Sequence, residues 1–283
     1  MIINHNLSAM NANRQLGKNT NAISKSIEKL SSGYRINKAA DDAAGLSISE
    51  KMRGQIRGLN KASDNAADGI SMVQTAEGGL NETQNILQRM RELATQAAND
   101  TNVTADRDAI NDEMKQLSDE ITRIGQQTQF NTKNILNAGA ADNTVGNGAI
   151  NVNIQVGANC GQSISVTFSA MNATSLSVTV GNGGLQVDTH ENATKAIKTL
   201  DAAIEAVSKE RSKYGAIQNR LEYSISNTDN AAENIQSAES RIRDVDMAKE
   251  MMNYSKNNIL MQASQSMLSQ ANSSTQSVLS LLQ

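Results

Sequence analysis

Between Asn192 and Val245, apolar residues return every seven positions without a slip. Leu200, Val207, Tyr214, Leu221, Thr228, Ile235 and Ile242 form one series. Ile197, Ile204, Arg211, Gln218, Ile225, Ala232 and Glu239 form a second, so the spacing alternates four and three. A helix turns every 3.6 residues, so it keeps such a series on one side, whereas a strand would scatter it over both faces. A seam held over this many heptads predicts a long helix that supercoils with partners. At 1.5 Å per residue the segment spans roughly 80 Å. Leu200, Val207, Leu221, Ile235 and Ile242 are the expected packing residues of this rod. The polar members Arg211, Gln218 and Glu239 weaken the second series; they read either as register-fixing residues or as residues facing solvent.

The rest of the chain permits such a helix and disfavours the alternatives. There is no proline in 283 residues, where average usage would give about 14, so the commonest helix breaker is missing. There is no tryptophan, and only four tyrosines and two phenylalanines. Aromatic side chains carry the largest buried areas, so thin helical packing is expected instead of a wide globular core. The 26 basic and 29 acidic residues leave a net charge of −3 and a pI near 5.5, against the basic stripe of a nucleic-acid binder. No window of 18 apolar residues predicts a membrane span. Met1-Ile2-Ile3-Asn4-His5-Asn6 lacks the charged head and apolar run of a secretory signal. The one cysteine, Cys160, cannot form an internal disulfide.

The same residues argue against an enzyme. His5 and His190 are the only histidines, too few to argue a Ser-His-Asp or Cys-His set. His190-Glu191 begins like a zinc motif, but Asn192-Ala193-Thr194 follow and the second histidine one turn later is absent. No metal or cofactor is expected. Asp41 and Asp42 are adjacent, point apart on a helix, and read as capping groups.

Further helices show in the N-terminal half. Ile110, Met114, Leu117, Ile121 and Ile124 keep four-three spacing; Leu80, Leu87, Met90 and Leu93 give a second stripe; Ile23, Ile27 and Leu30 give a shorter one. Ser31-Ser32-Gly33 ends the first helix, with Gly33 able to take the left-handed cap. Asp41 or Asp42 opens the next. Asn99–Thr104 reads as a turn, with Thr104 or Asp106 opening the following helix.

From Gly139 to Thr189 the period changes to two. Ile150, Val152, Ile154 and Val156 alternate with polar residues, as do Ile164, Val166 and Phe168, and then Leu176, Val178 and Val180. Gly157, Asn159 and Gly161 separate the first two runs. This predicts a small antiparallel β region of a few short strands that packs on the helices.

Residues 1–30 and 246–283 are rich in Asn, Ser, Gln and Ala. Met251, Met252, Ile259, Leu260, Met267, Leu268, Val278, Leu279, Leu281 and Leu282 supply the C-terminal apolar positions. Neither end alone offers enough apolar area to offset its ordering entropy, so each is expected to fold against a partner, either the other end or a neighbouring subunit. The predicted fold class is mainly α: a long helical coiled-coil rod or bundle, its N- and C-terminal helices paired, with a small antiparallel β region in the middle. A rod with conditionally folded, sticky ends is a candidate for polymerisation.

Several motifs then fall in one order. Leu30-Ser31-Ser32-Gly33-Tyr34-Arg35-Ile36-Asn37 precedes Asp41-Asp42-Ala43-Ala44-Gly45. Gln88-Arg89-Met90-Arg91-Glu92-Leu93-Ala94 and Gln127-Thr128-Gln129-Phe130-Asn131 follow. Gly215-Ala216-Ile217-Gln218-Asn219-Arg220-Leu221, Ser240-Arg241-Ile242-Arg243-Asp244-Val245-Asp246 and the ending Val278-Leu279-Ser280-Leu281-Leu282 complete the set. Over about 1–137 and 190–283 the chain resembles bacterial flagellin, in a minimal form without the family's large variable outer domains. Tyr34 stands where a smaller apolar residue is common.

The resemblance implies a division into an inner-tube domain, residues 1–43 with 244–283, and an outer-tube domain, 44–243, which includes the β-rich 139–189. It implies a structural subunit that is exported without a cleavable signal peptide and polymerises outside the cell into the hollow flagellar filament used for swimming. The implied partners are further copies of itself, an export chaperone and the export apparatus, and the filament cap and hook-associated proteins. By the same resemblance Arg89, Leu93 and Glu113 match positions read by a host innate flagellin receptor. Ile259, Leu260, Met267, Leu268, Val278, Leu279, Leu281 and Leu282 match the C-terminal segment used in assembly and covered by the chaperone. A hook–filament junction protein is the alternative; the match at Arg89–Leu93 and Gly215–Leu221 favours the filament subunit.

Overall fold

The computed structural model describes residues 6–137, 148–181 and 184–280. In chain order the elements are α1 (Leu7–Ser32), α2 (Ala43–Ala97), α3 (Thr104–Gln127), β1 (Gln129–Phe130), β2 (Lys133–Asn134), β3 (Ala149–Gln155), β4 (Ser163–Ser169), α4 (His190–Arg243) and α5 (Met247–Ser280). Each helix end has a local cause. Asn6 Oδ1 accepts from the Ala9 amide and opens α1. Gly33 closes it at φ 75°, donating its amide to Lys29 O, a conformation that costs a residue with a β-carbon more. Asp42 Oδ1 accepts from the Gly45 amide at 2.8 Å and caps α2. Asp106 reaches back from the first turn of α3 to the Val103 amide at 3.2 Å.

The chain divides into two compact units, Met1–Ile56 with Glu233–Gln283, and Arg57–Ala232. In the second, α2 buries Ala62, Ala66, Val73, Ala76, Leu80, Thr83, Leu87, Met90, Ala94 and Ala97. With Gly69, these keep four-three spacing over five turns of the heptad. Of the apolar stripe read from Leu80, Leu87, Met90 and Leu93, the first three are large residues of this seam and Leu93 is buried beside it. On α4, Leu200, Val207, Tyr214 and Leu221 are fully buried, whereas Ile235 and Ile242 are only half-buried.

The second α4 series needs correction in its first half, whereas its Ala232 and Glu239 are buried. The residues buried beside Leu200 and Val207 are Ala196, Ala203 and Glu210; Ile197, Ile204 and Arg211 flank the seam, half-buried. Alanine lets a facing helix come close, and the larger side chains one position on cover the edge of the contact. α2 and α4 are antiparallel, tied by Arg211 Nη1 to Gln84 Oε1 at 2.6 Å and by Arg91 to Asp201 at 2.6 Å. On α3 the buried residues are Ile110, Met114, Ser118, Ile121 and Gly125.

Two hairpins complete this unit. β1 and β2 pair antiparallel through a two-residue turn in which Asn131 (φ 48°) and Thr132 (φ 64°) are both left-handed, the geometry that matches strand twist. β3 and β4 pair from Ala149↔Ser169 to Gln155↔Ser163, and Ile154, Ile164, Val166 and Phe168 enter the core. Gly58 makes room for this hairpin: a β-carbon there would lie 2.9 Å from Ala158 Cβ.

The expected third strand, Leu176–Val180, does not form. Leu176 donates its amide to Asn172 O, Val178 to Ala173 O, and Ser177 takes φ 59°. Local turns satisfy this backbone, so the alternation of buried Leu176 and Val178 arises without a ladder. Val180 makes one isolated bridge, to Leu185.

At the centre of the core Tyr214 packs on Phe168, ring centroids 5.4 Å apart. Glu210 Oε1 accepts from Ser169 Oγ at 3.2 Å, joining α4 to β4. The Tyr214 hydroxyl lies beside Glu210 and the Ser169 backbone but finds no aligned hydrogen-bond partner among the described residues. Burial, and next the Glu210 charge, hold this phenol above its ordinary ionisation range. In the unfolded chain a tyrosine ionises near pH 10. Its contribution is therefore fully present below about pH 10 and is lost as pH rises beyond it. Tyr214→Phe keeps the ring and removes the titrating group. Urea unfolding at about pH 9 and about pH 11 should show a smaller alkaline loss of stability in the variant than in the parent; equal losses would refute this account.

Candidate functional site

α1 and α5 lie antiparallel within the unit formed by the two chain ends, and polar contacts set their register. Asn6 Nδ2 donates to Ala271 O at 3.0 Å, Asn19 Nδ2 to Ser264 Oγ at 3.1 Å, and Ser26 Oγ to Glu250 Oε1 at 2.6 Å. The half-buried stripe of α5 is Glu250, Asn253, Tyr254, Asn257, Asn258, Met261, Ser264, Leu268 and Ala271. Most of that seam is small or polar.

The large apolar residues mostly point elsewhere. Met251, Met252, Ile259, Leu260 and Met267 on α5 are exposed, Ile259 at 66%. Leu7, Met10 and Ile27 on α1 are exposed too. Ile259 and Leu260 are neighbours, so they occupy helix faces about 100° apart. A helix with apolar residues around its circumference is built to be buried on more than one side. Of the expected assembly residues, Ile259, Leu260 and Met267 are thus exposed and Leu268 faces α1. The side chains of Val278 and Leu279, and all of Leu281 and Leu282, lie outside the described residues.

A second constellation closes the unit where α1 and α4 end. Tyr34 bridges to Asp244, the Val245 amide donates to Gly33 O at 3.0 Å, and the Arg35 amide to Arg243 O at 2.7 Å. The guanidinium groups of Arg53 and Arg243 lie over the Tyr34 ring, 5.5 and 5.0 Å from its centroid. Arg53 Nη2 also donates to Tyr34 Oη at 3.1 Å, and Arg53 and Arg243 pair with Glu239 and Glu50. Asp41 accepts the Lys38 and Asn37 amides, which hold its carboxyl below the usual range. Sequence reasoning marked Tyr34 as unusual; in the structure its ring lies under two arginines from distant positions.

The three residues matched to receptor recognition separate. Arg89 donates Nε and Nη2 to Glu113 Oε1 at 3.1 and 3.0 Å and Nη1 to Glu92 at 3.1 Å, all on the surface. The Glu113 contact, then Glu92, holds the guanidinium pKa above its ordinary value. Leu93 is 2% exposed and belongs to the core. His190 Nδ1 lies 2.6 Å from Ala98 O, so it joins the start of α4 to the end of α2. Among the described residues no group of three His, Cys, Asp or Glu could hold a metal ion, and no helix is long and apolar enough to cross a membrane.

Comparison with known proteins bears directly on these helices. The bacterial flagellin N-terminal helical region matches residues 3–141, and the bacterial flagellin C-terminal helical region matches 197–282. The chain belongs to the bacterial flagellin family. It is 56% identical over 282 residues to the flagellin of Halalkalibacterium halodurans, with all of both chains covered. It is 52% identical over 286 residues to the flagellar filament 33 kDa core protein of Treponema phagedenis, again with both chains fully covered. The crystal structure of Bacillus cereus flagellin aligns with 58% of this chain and 88% of its own, at 34% identity and a TM-score of 0.49.

Within this flagellin fold the Tyr34 clamp carries a measurable share of the terminal unit's stability. An exposed cation–π contact contributes about 0.5–1 kcal/mol, and Tyr34 makes two. Tyr34→Leu retains apolar bulk but removes both, so local stability should fall by about 1–2 kcal/mol. Hydrogen exchange at the Arg35 and Val245 amides reads this directly; unchanged protection would show that the backbone bridge holds without the ring.

Proposed function

We propose that this chain is the repeating subunit of a bacterial flagellar filament, joined to its neighbours through α1 and α5. One observation carries the reading: the terminal helices meet along a mixed seam pinned by Asn, Ser and Glu and turn Met251, Met252, Ile259, Leu260 and Met267 outward. Each fully buried Leu, Ile or Met is favoured by about 1.5–3 kcal/mol, and two helices cannot realise that by themselves. Further copies of the same pair would cover these faces from several sides. Residues 1–43 with 244–283 serve as the inner tube, and 44–243, with the β-rich 139–189, as its surround. The subunit is exported, assembles outside the cell and supports swimming as a structural component. An export chaperone shields the outward face of α5 before assembly, the export apparatus carries the chain out, and the cap and hook-associated proteins bound the growing polymer.

Seeded growth tests this. Purified monomer added to sheared filaments should extend them into tubes of uniform width by negative-stain electron microscopy, and a chain lacking 246–283 should not. Ile259→Asp lies on the exposed surface, so monomer stability should change by no more than about 0.5 kcal/mol, while elongation falls at least roughly tenfold. Capping of seeds without extension would favour the hook–filament junction protein. Wild-type growth of the Asp variant would remove the outward face of α5 from the contact.

The reading extends to host innate flagellin receptors. Arg89 and Glu113 offer one exposed ion pair, and Leu93 supports the helix beneath it. Arg89→Glu should weaken binding to a receptor ectodomain by about tenfold or more, because arginine anchors dominate such contacts. Unaltered affinity, with helicity preserved, would discard this site.

A further inference from the structure

Half of the twelve methionines lie on two helices: Met10 on α1, and Met247, Met251, Met252, Met261 and Met267 on α5. Five of these, all but Met261, are 48–66% exposed. The other unit provides an internal contrast, since Met90, Met114 and Met171 are 0–9% exposed there. Thioether oxidation follows access, so one chain carries a reactive set and a protected set. The reactive set lies on the helices that the proposed filament contact would cover.

We infer that the exposed thioethers of Met10, Met247, Met251, Met252 and Met267 are peroxide-modification sites whose conversion to sulfoxide blocks addition of the subunit to a filament. The inference rests on the assembly reading above. In the step, a sulfur lone pair attacks one oxygen of hydrogen peroxide. The S–O bond forms as the O–O bond breaks, and the departing hydroxide takes the remaining proton as water. Sulfur loses two electrons and peroxide gains them, so no other reductant is required. The product replaces a flexible apolar group by a strong hydrogen-bond acceptor. Pressed into an apolar contact, that oxygen loses water and finds no assured donor. Methionine is otherwise well suited to such a surface, because its unbranched side chain adapts to irregular neighbours. The same exposure that allows several copies to pack on it leaves it open to oxidant beforehand. Once covered, the sulfurs are shielded, so oxidation and assembly exclude each other.

The test treats full-length monomer and preformed filament with the same dose of hydrogen peroxide and maps sulfoxides by peptide mass spectrometry. Modification should appear at Met10, Met247, Met251, Met252 and Met267 of the monomer before Met90, Met114 and Met171, and the same five positions should resist in the filament. Modified monomer, with unchanged circular dichroism, should elongate seeds at least roughly tenfold more slowly. Reduction by a pair of methionine sulfoxide reductases should restore growth. A Met251→Leu, Met252→Leu, Met267→Leu variant, measured against its own untreated growth, should lose less than the parent. The inference is overturned if monomer sulfoxidised at these five positions grows at the untreated rate, or if lost growth follows oxidation of Met90, Met114 and Met171. Untreated monomer that adds to no seeds would sink the assembly reading itself, and this inference with it.

Discussion

Two helices side by side cannot hide what α1 and α5 carry. A pair shares one strip of surface, and here Asn6, Asn19, Ser26, Glu250 and Ser264 divide it with half-buried Leu16, Ile23, Met261 and Leu268. Most of the large apolar side chains of α5 are left on other faces. Hydrophobic burial is the dominant favourable term in association, so this arrangement places the largest available stabilisation outside the single chain. A polymer of identical subunits is the simplest way to realise it, because every copy brings the same unsatisfied faces.

The Arg57–Ala232 unit meets the opposite requirement. Three helices and two hairpins enclose Leu80, Leu87, Met90, Leu200, Val207, Tyr214 and Leu221 without outside help. Alanines along α2, with Ala196 and Ala203 on α4, make close approach possible, and Gly69 leaves room for Ile154 of β3. The rare polar entries are tied down: Glu210 receives Ser169 and Lys213, and Thr83 returns a hydrogen bond to Gly79 O. The Tyr214 hydroxyl is an exception, as are Asn111 Oδ1, Asn134 Oδ1 and Arg211 Nε, and the Tyr214 ring is held by Phe168.

Much of this was legible because helix periodicity is a property of spacing. The α4 series Leu200, Val207, Tyr214 and Leu221, the Gly33 stop and the start at Asp41 or Asp42, of which Asp42 makes the cap, are local statements that packing did not override. Reading failed where side-chain size misleads. The second seam of α4 runs through Ala196 and Ala203, residues that sequence reasoning does not single out, while the conspicuous Ile197 and Ile204 flank it. The alternation at Leu176, Val178 and Val180 copied a strand pattern that local amide bonds to Asn172 and Ala173 had already displaced. The β1–β2 hairpin was missed, although Asn131 is a residue that accepts the left-handed turn. No local pattern could join Tyr34 to Arg53 and Arg243, or expose Arg89 and Glu113 while burying Leu93; those relations exist only after the helices meet.

The three polar pins between α1 and α5 separate information from adhesion. They specify which residue of one helix meets which of the other. Each is nevertheless a modest net gain, because water offers replacements when the helices part. Drawing the pair apart therefore leaves few stranded polar groups. Such a joint can be opened and closed again in the same alignment: an address written in amides and hydroxyls, with much of the glue kept on the outside.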